Sequence, residues 1–266
     1  IDGQRSFGQI TMNHACQKIK DLRNDIQIVS VSNCGHIGRL SDYAEFLSKS
    51  GYVNLIFCNG GGPNTSIYPS AERIVGTNPF SFGIQINKKK TLIIDFATSL
   101  LAEGKINIAK LNKKKIKIKP IISKNGIYTN NPAELYSGGS LRTFGGIKGS
   151  AFSLVNEILG GLLISSNNPI NKNYLDGNNC LIICIKKKLF NYNNSFTKQF
   201  LKIETKIKKS RKIKILNNKK TYLPGEIELK NFLNSKKKGI IYNNSIVKKL
   251  NFFAKNKLNI PQKNLL

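Results

Sequence analysis

Histidine and acid are scarce in this chain of 266 residues, which carries two His and 14 Asp+Glu. With only His14 and His36, metal centres built from several histidines are out of reach. The five cysteines, Cys16, Cys34, Cys58, Cys180 and Cys184, are an odd set without a CxxC spacing. Neither a disulfide framework nor a zinc site is expected; they read as small apolar thiols in a reducing compartment, the cytoplasm. No stretch approaches the roughly 18 consecutive apolar residues of a transmembrane helix. GxxxxGK[ST] and GxGxxG are both missing, which excludes a P-loop and the usual dinucleotide fingerprint. The opening Ile1-Asp2-Gly3-Gln4-Arg5 has no initiator Met and no signal-peptide character, which predicts a fragment or a processed chain.

What is present in excess is positive charge, 43 Lys+Arg for a net +29. It is unevenly placed: residues 1–100 hold 10 basic and 7 acidic side chains, residues 101–266 hold 33 and 7. Such a surface attracts polyanions in principle. Lys (37), Ile (36) and Asn (33) rise together, however, as they do when a genome drifts toward A and T. Base readout and stacking favour Arg and interleaved aromatics, and only six residues are Arg. The runs Lys88–Lys90, Lys113–Lys115, Lys186–Lys188 and Lys236–Lys238 lack that interleaving, so a nucleic-acid partner is not expected. A hydrophobic fraction of 40% is enough for a core, and the length suits one large domain or two small ones.

Periodicity predicts an amphipathic helix over 9–23 with Met12, Ala15, Ile19 and Leu22 on one face. A strand Ile26–Ser32 follows, then a loop Asn33–Arg39, a helix over 40–49 and a strand Tyr52–Cys58. The glycine-rich loop Asn59–Asn64 leads to strands Phe80–Ile86 and Thr91–Phe96. Residues 105–122 alternate Ile with Lys and fit either strand or helix. Gly145–Gly149 opens a helix with Ala151, Leu154, Val155, Ile158, Leu159 and Leu162 on one face. Residues 186–220 read as a solvated excursion or loose strand pair, and Pro224-Gly225-Glu226 as a turn before a helix near 244–257. The organisation expected is an α/β domain over 1–220 and a C-terminal turn and helical segment over 221–266 that packs back on it.

Three places can carry chemistry. His36 lies between a strand end and a helix start, where α/β sites gather and where the helix dipole favours a neutral imidazole. Such a ring can take or give a proton at a carbinol or carbonyl oxygen, with Arg39 beside it to grip a carboxylate; a histidine that only caps the loop is the plainer reading. Gly145-Gly146-Ile147-Lys148-Gly149 at a helix head suits a phosphate, or is a tight glycine turn. Asp95-Phe96-Ala97-Thr98-Ser99 ends a strand with a carboxylate and two hydroxyls, able to bind a ribose or nicotinamide or to cap a helix.

Six segments in order carry a resemblance: Ile1-Asp2-Gly3 with Gly8, Ser32-Asn33 through His36-Ile37-Gly38-Arg39 with Tyr43-Ala44-Glu45, and Gly76-Thr77-Asn78-Pro79, then Asp95–Ser99, Gly145–Gly149 and Leu223-Pro224-Gly225-Glu226. Together they resemble the malate/L-lactate dehydrogenase-type oxidoreductases, which include ureidoglycolate, sulfolactate and diketogulonate enzymes. The resemblance implies a mixed-sheet, non-Rossmann α/β fold, NAD or NADP as cofactor, a small 2-hydroxy or 2-oxo acid as substrate, and a homodimer with no membrane attachment. It implies that His36 is the proton donor and acceptor, beside the Arg39 already expected to meet the substrate. It also implies that Asn59, Gly60, Asn78, Asp95, Phe96, Ala97, Thr98, Ser99, Lys148, Gly149, Pro224, Gly225 and Glu226 line the cofactor site. Two departures stand out. Relatives usually begin with a helical segment bearing a serine-histidine-glycine motif, which this sequence does not contain, and many carry a hydroxyl where Asn59-Gly60-Gly61-Gly62 has glycines. These leave a truncated or decayed paralogue, or a Lys-rich polyanion-binding protein, as the alternative readings.

Overall fold

The computed structural model describes residues 1–165, 169–172, 174–190, 192–216, 219–240, 242, 244–258 and 261. Contacts divide the chain into Ile1–Gly225 and Glu226–Leu266, later than the boundary at residue 220 drawn from the sequence. The second unit holds two helices, α7 (Glu226–Lys238) and α8 (Asn244–Lys257). The sequence reading had only the latter.

The first unit is built on a five-stranded sheet ordered β1-β8-β2-β3-β4. Its strands are β1 (Ile26–Cys34), β2 (Tyr52–Gly60), β3 (Phe80–Asn87), β4 (Lys90–Phe96) and β8 (Asn178–Lys186). The α/β, non-Rossmann expectation holds, and one part of it needs correcting. Every pairing between these strands is antiparallel, and the sheet is mixed only through a single parallel bridge, Asp2 to Ser32. The order strand, helix, strand around α2 (Leu40–Lys49) looks like a parallel unit because β1 and β2 do point the same way. The distant β8 inserts between them and pairs with both.

That insertion also lengthens β2. Asn59 and Gly60, expected in a loop, are the last rungs of the ladder, opposite Asn179 and Asn178. Helices α1 (Gly8–Leu22) and α2 cover one face of the sheet. Met12, Ala15 and Ile19 of α1 meet Leu40, Tyr43, Ala44 and Leu47 of α2 over Ile56 and Ile182, all buried. Leu22, assigned to that inner face by spacing, is exposed, because α1 ends there and Arg23 turns left-handed. All five cysteines are buried free thiols, and burial pushes Cys16 and Cys34 up to about 12, so they are inert packing groups.

Helix α5 (Ile147–Glu157), continued by a π turn Ile158–Leu162, crosses the other face. Its apolar stripe faces outward: Leu154, Val155, Ile158 and Leu162 are exposed, while Gly149, Ser150, Ser153, Asn156 and Glu157 are buried. This reverses the predicted orientation. The reason is closeness of approach, since a Cβ on Gly160 would lie 2.8 Å from the Cys58 backbone. Only a side of small residues can reach the sheet.

Residues 105–122 resolve into α3 (Glu103–Leu111) and, after an irregular stretch, the short β5 (Ile121–Ile122). Between β6 (Tyr128–Thr129) and β7 (Ser140–Leu141), β5 forms a small antiparallel sheet around the buried Ile106, Ile121, Leu135 and Leu141; α4 (Ala133–Tyr136) joins its last two strands. The Lys-rich excursion proves helical over α6 (Asn194–Lys209), capped by the Asn193 side chain. Tyr192 and Thr197 donate to the carbonyls of β3, and Glu204 pairs with Lys90 and Lys208.

Candidate active site

Strand direction gathers the motifs at one end of the sheet. The carboxyl ends of β1, β2 and β4 lie there beside the amino ends of β3 and β8. His36 follows β1, Asn59 and Gly60 close β2, Asn78 precedes β3, and Asp95 closes β4. Ligands collect at such an edge because loops, not ladder partners, line it.

His36 is exposed, and its ring makes no hydrogen bond to any described residue. Arg39 also stands in the open, but it is not poised for a ligand: its Nε and Nη2 edge is bound to Asp42, three residues along α2. The Asp95 carboxylate accepts the Ser41 backbone N–H at 2.7 Å, so β4 caps the start of α2 and braces the His36 loop. Desolvation raises the Asp95 pKa above the usual carboxylate range, against the pull of Ser41 and Arg39.

The neighbouring hydroxyls point inward. Thr98 donates to the Thr77 carbonyl at 2.9 Å and Ser99 to that of Leu101 at 3.1 Å, so neither aims its proton at a ligand. Phe96 joins Phe80, Phe144 and Phe152 in an aromatic cluster beneath α5, and Ala97 is half-buried. Asn78 is fully buried; its carbonyl oxygen accepts the Gly60 N–H, and its amide donates to Glu157 at 2.8 Å. Asn59 also hydrogen-bonds Glu157 and takes the Asn179 N–H at 2.8 Å. Glu157 was not singled out in the sequence, where it looked like one more helix residue. It is 3% exposed with two amide partners, and desolvation raises its pKa while those amides partly offset the shift.

Lys148 is exposed in the first turn of α5, and Gly149 is buried against the Phe144 carbonyl. Pro224 and Gly225 end the first unit, with Gly225 left-handed at φ 83° and lying against Ile93 of β4. Glu226 opens α7 in the second unit.

One cleft, of about 240 Å³, opens beside the α5 head. Its lining includes Ser66, Tyr68, Ser70, Tyr128, Arg142 and Gly146. It was invisible in the sequence because its walls come from segments some way apart. Two backbone links fasten it to the Asp95–Ser99 segment: a bridge between Ser99 and Thr143, and Leu100 N–H donating to the Arg142 carbonyl at 2.7 Å. No acidic side chain lines it. Gly146 has φ 60°, and a Cβ there would point toward the Tyr68 ring at 3.9 Å, into the space a ligand would use.

Residues 1–251 match the sequence model of the malate/L-lactate dehydrogenases. The chain belongs to that family. Members similar to it include hydroxycarboxylate dehydrogenase B of Escherichia coli K12, 35% identical over 61% of this chain and 46% of that protein. The malate dehydrogenase of Pyrococcus abyssi is 30% identical over 80% of this chain and 62% of its own length. The chain thus spans about half to three fifths of the length of these curated relatives. Among solved structures of the family, the malate dehydrogenase of Pyrococcus horikoshii superposes with a TM-score of 0.76 at 27% identity, covering 96% of this chain and 72% of that one. The sulfolactate dehydrogenase of Methanocaldococcus jannaschii gives a TM-score of 0.76 at 25% identity, covering 99% and 76%. Among the described residues no helix is long and apolar enough to cross a membrane, and no cluster of His, Cys, Asp or Glu can hold a metal ion.

Proposed function

We propose that this chain forms the core of a pyridine-nucleotide-dependent oxidoreductase that interconverts a small 2-hydroxy acid and its 2-oxo acid. The observation that carries the reading is the placement of His36, exposed at the carboxyl end of β1 and braced through Asp95 and Ser41. The relatives' names, which cover malate, sulfolactate and hydroxycarboxylate dehydrogenases, supply the substrate class. A nicotinamide bound at this edge would supply the hydride that adds to C2 of the oxo acid, or accept the one that leaves C2 of the hydroxy acid.

In reduction, His36 gives its proton to the substrate oxygen as negative charge develops there; in oxidation the neutral ring takes that proton back. Arg39 meets the substrate carboxylate once it exchanges Asp42 for it, a swap between two exposed partners that costs little. The cleft at the α5 head suits one end of a nucleotide: it is lined by Arg142 and hydroxyls, and Gly146 keeps it open. There the cofactor would lie against the Ser66–Ala71 loop and Gly145–Gly149, with Lys148 adding positive potential. The backbone of Asp95–Ser99 and the Pro224-Gly225 turn beside β4 would flank its nicotinamide end. Glu157 keeps Asn59 and Asn78 in place behind that surface.

The homodimer is supported by an open apolar face on the sheet, continued by the outward stripe of α5. A second copy presenting the same surface would cover it.

The test follows oxidation of NADH and NADPH by the full-length protein with a panel of 2-oxo acids. His36→Ala is expected to cut kcat by about 10²–10⁴-fold, the scale of a lost general acid/base. Near-normal turnover in that variant would remove His36 from the chemistry. Failure to bind either nucleotide would leave the decayed-paralogue reading standing.

A further inference from the structure

Arg142 is held in an unusual way for a partly exposed arginine. Its guanidinium carbon sits over the Tyr128 ring, 3.6 Å from the ring centre, a cation–π contact. Nη1 donates to the Lys119 carbonyl at 2.8 Å. The backbone is pinned on both sides, its N–H to Pro120 and its carbonyl to Leu100. The Nε and Nη2 edge makes no hydrogen bond to any described residue, and no carboxylate lines the cleft to pair with it. An orientationally fixed fork with one open edge, in a cleft without counter-charge, is a receptor for a phosphate dianion.

Its neighbours agree. Ser70 Oγ accepts from the Glu72 N–H, which leaves its own proton to donate, and the Tyr68 hydroxyl has no partner among the described residues. A volume of about 240 Å³ lies below that of a pocket for a whole drug-sized ligand, so the cleft takes one end of a longer molecule. The links from Arg142 to Leu100 and from Thr143 to Ser99 brace the Arg142 wall of the cleft.

Resting on the pyridine-nucleotide reading above, we propose that this cleft binds the 2′-phosphate of an adenosine ribose through Arg142, and that the chain therefore takes NADP in preference to NAD. A carboxylate that could accept from a 2′-hydroxyl would repel a 2′-phosphate, whereas an arginine fork pairs with the phosphate. Here the acid is missing from the cleft walls and the arginine is present.

Excited in its own absorption band, the reduced nicotinamide reports binding by its own fluorescence. NADPH and NADH are titrated into the full-length protein and its R142Q and R142K variants. 2′,5′-ADP, 5′-AMP and inorganic phosphate serve as competitors. The wild type is expected to bind NADPH at least about 10-fold tighter than NADH. R142Q should weaken NADPH by about 10–100-fold and NADH by less than about threefold, the scale of a lost charge-assisted fork. R142K, which keeps charge without the fork or the stack, should fall between. 2′,5′-ADP should displace NADPH from the wild type well below the concentrations at which 5′-AMP or phosphate do.

Equal wild-type affinities, or tighter NADH, would overturn the proposal, as would R142Q weakening both nucleotides alike or phosphate competing as well as 2′,5′-ADP. If R142Q does not fold, the wild-type ratio and the competitor ranking decide alone. No binding of either nucleotide would instead remove the oxidoreductase reading, and this inference with it.

Discussion

The face of the sheet that α1 and α2 cover carries Gln27, Asn54 and Ser81 among its apolar residues, each buried. The opposite face, read along the ladders, presents Ile26 and Ile28 of β1, Leu181 and Ile183 of β8, Val53 and Leu55 of β2, and Phe82 and Ile84 of β3. None of these is fully buried, and Ile28 is 65% exposed. The covered face is thus the more polar of the two. It tolerates polarity because local partners exist: the Gln27 amide donates to the Ile19 carbonyl and to Tyr52, and the Asn54 amide to the Ala44 carbonyl and Ser48 Oγ, although the Asn54 side-chain oxygen has no partner among the described residues. On the open face α5 screens only the Phe57–Phe80–Phe96 end. Among the described residues, this sheet thus leaves one apolar face largely uncovered.

The largest expected difference between the faces is in stability. Ile182 lies under both helices with no exposure, so Ile182→Ala should cost about 2–5 kcal/mol through lost transfer energy and a residual cavity. Urea denaturation reads it as a fall in midpoint with an unchanged slope. A cost below about 1 kcal/mol would mean that α1 and α2 close over the site, and that this face is softer than its packing implies.

Much of the covered side was legible because its signals are local. The spacing of Met12, Ala15 and Ile19, and of Leu40, Tyr43, Ala44 and Leu47, gave both helices and their buried sides. The β1–β4 strands were found with ends wrong by up to two residues. The open side was misread because its determinants are not local. β8 enters the sheet from about 120 residues beyond β2, so neither the antiparallel pairing nor the ladder role of Asn59 and Gly60 has a trace in nearby sequence. Helix α5 was turned the wrong way because hydropathy favours burying Leu154 and Ile158, whereas the backbone approach demands Gly160 and Gly161 inside. In α6, Phe196, Phe200, Ile203 and Ile207 do keep helical spacing, masked by lysines between them. At the site the motifs marked the right loops but not the tasks of single atoms. Asp95 caps α2, Thr98 and Ser99 donate inward, and Glu157 and Arg142 carried no motif at all.

A middle-sized effect concerns Glu157, the buried carboxylate that ends α5. The folded pKa of Glu157 is raised by burial, so between the usual carboxylate value and that raised value the native state holds a proton that the unfolded chain has released. Stability should therefore fall as pH rises through that window, and the loss should persist above it. Glu204 and Asp25 act in the opposite direction, their folded pKa values being lowered by lysines, so their contribution is lost as pH falls. Glu157→Gln isolates the first effect. It should flatten the decline of the urea midpoint as pH rises above the usual carboxylate value. An identical pH profile in wild type and variant would show that Glu157 stays ionised on folding, held by Asn59 and Asn78.

The smallest effect tests the open face directly. Ile28→Ala removes the same kind of side chain as Ile182→Ala, but from a position 65% exposed. In a single chain it should change stability by no more than about 0.5 kcal/mol, as an ordinary surface substitution does. If a second copy covers this face, the cost should grow with protein concentration, because association stabilises the folded state by mass action. Sedimentation of wild type and variant over the same range should then show the variant dissociating at higher concentration. A cost near that of Ile182→Ala that does not depend on concentration would mean that the face is covered within one chain, and the contrast between the two sides of the sheet would not survive in solution.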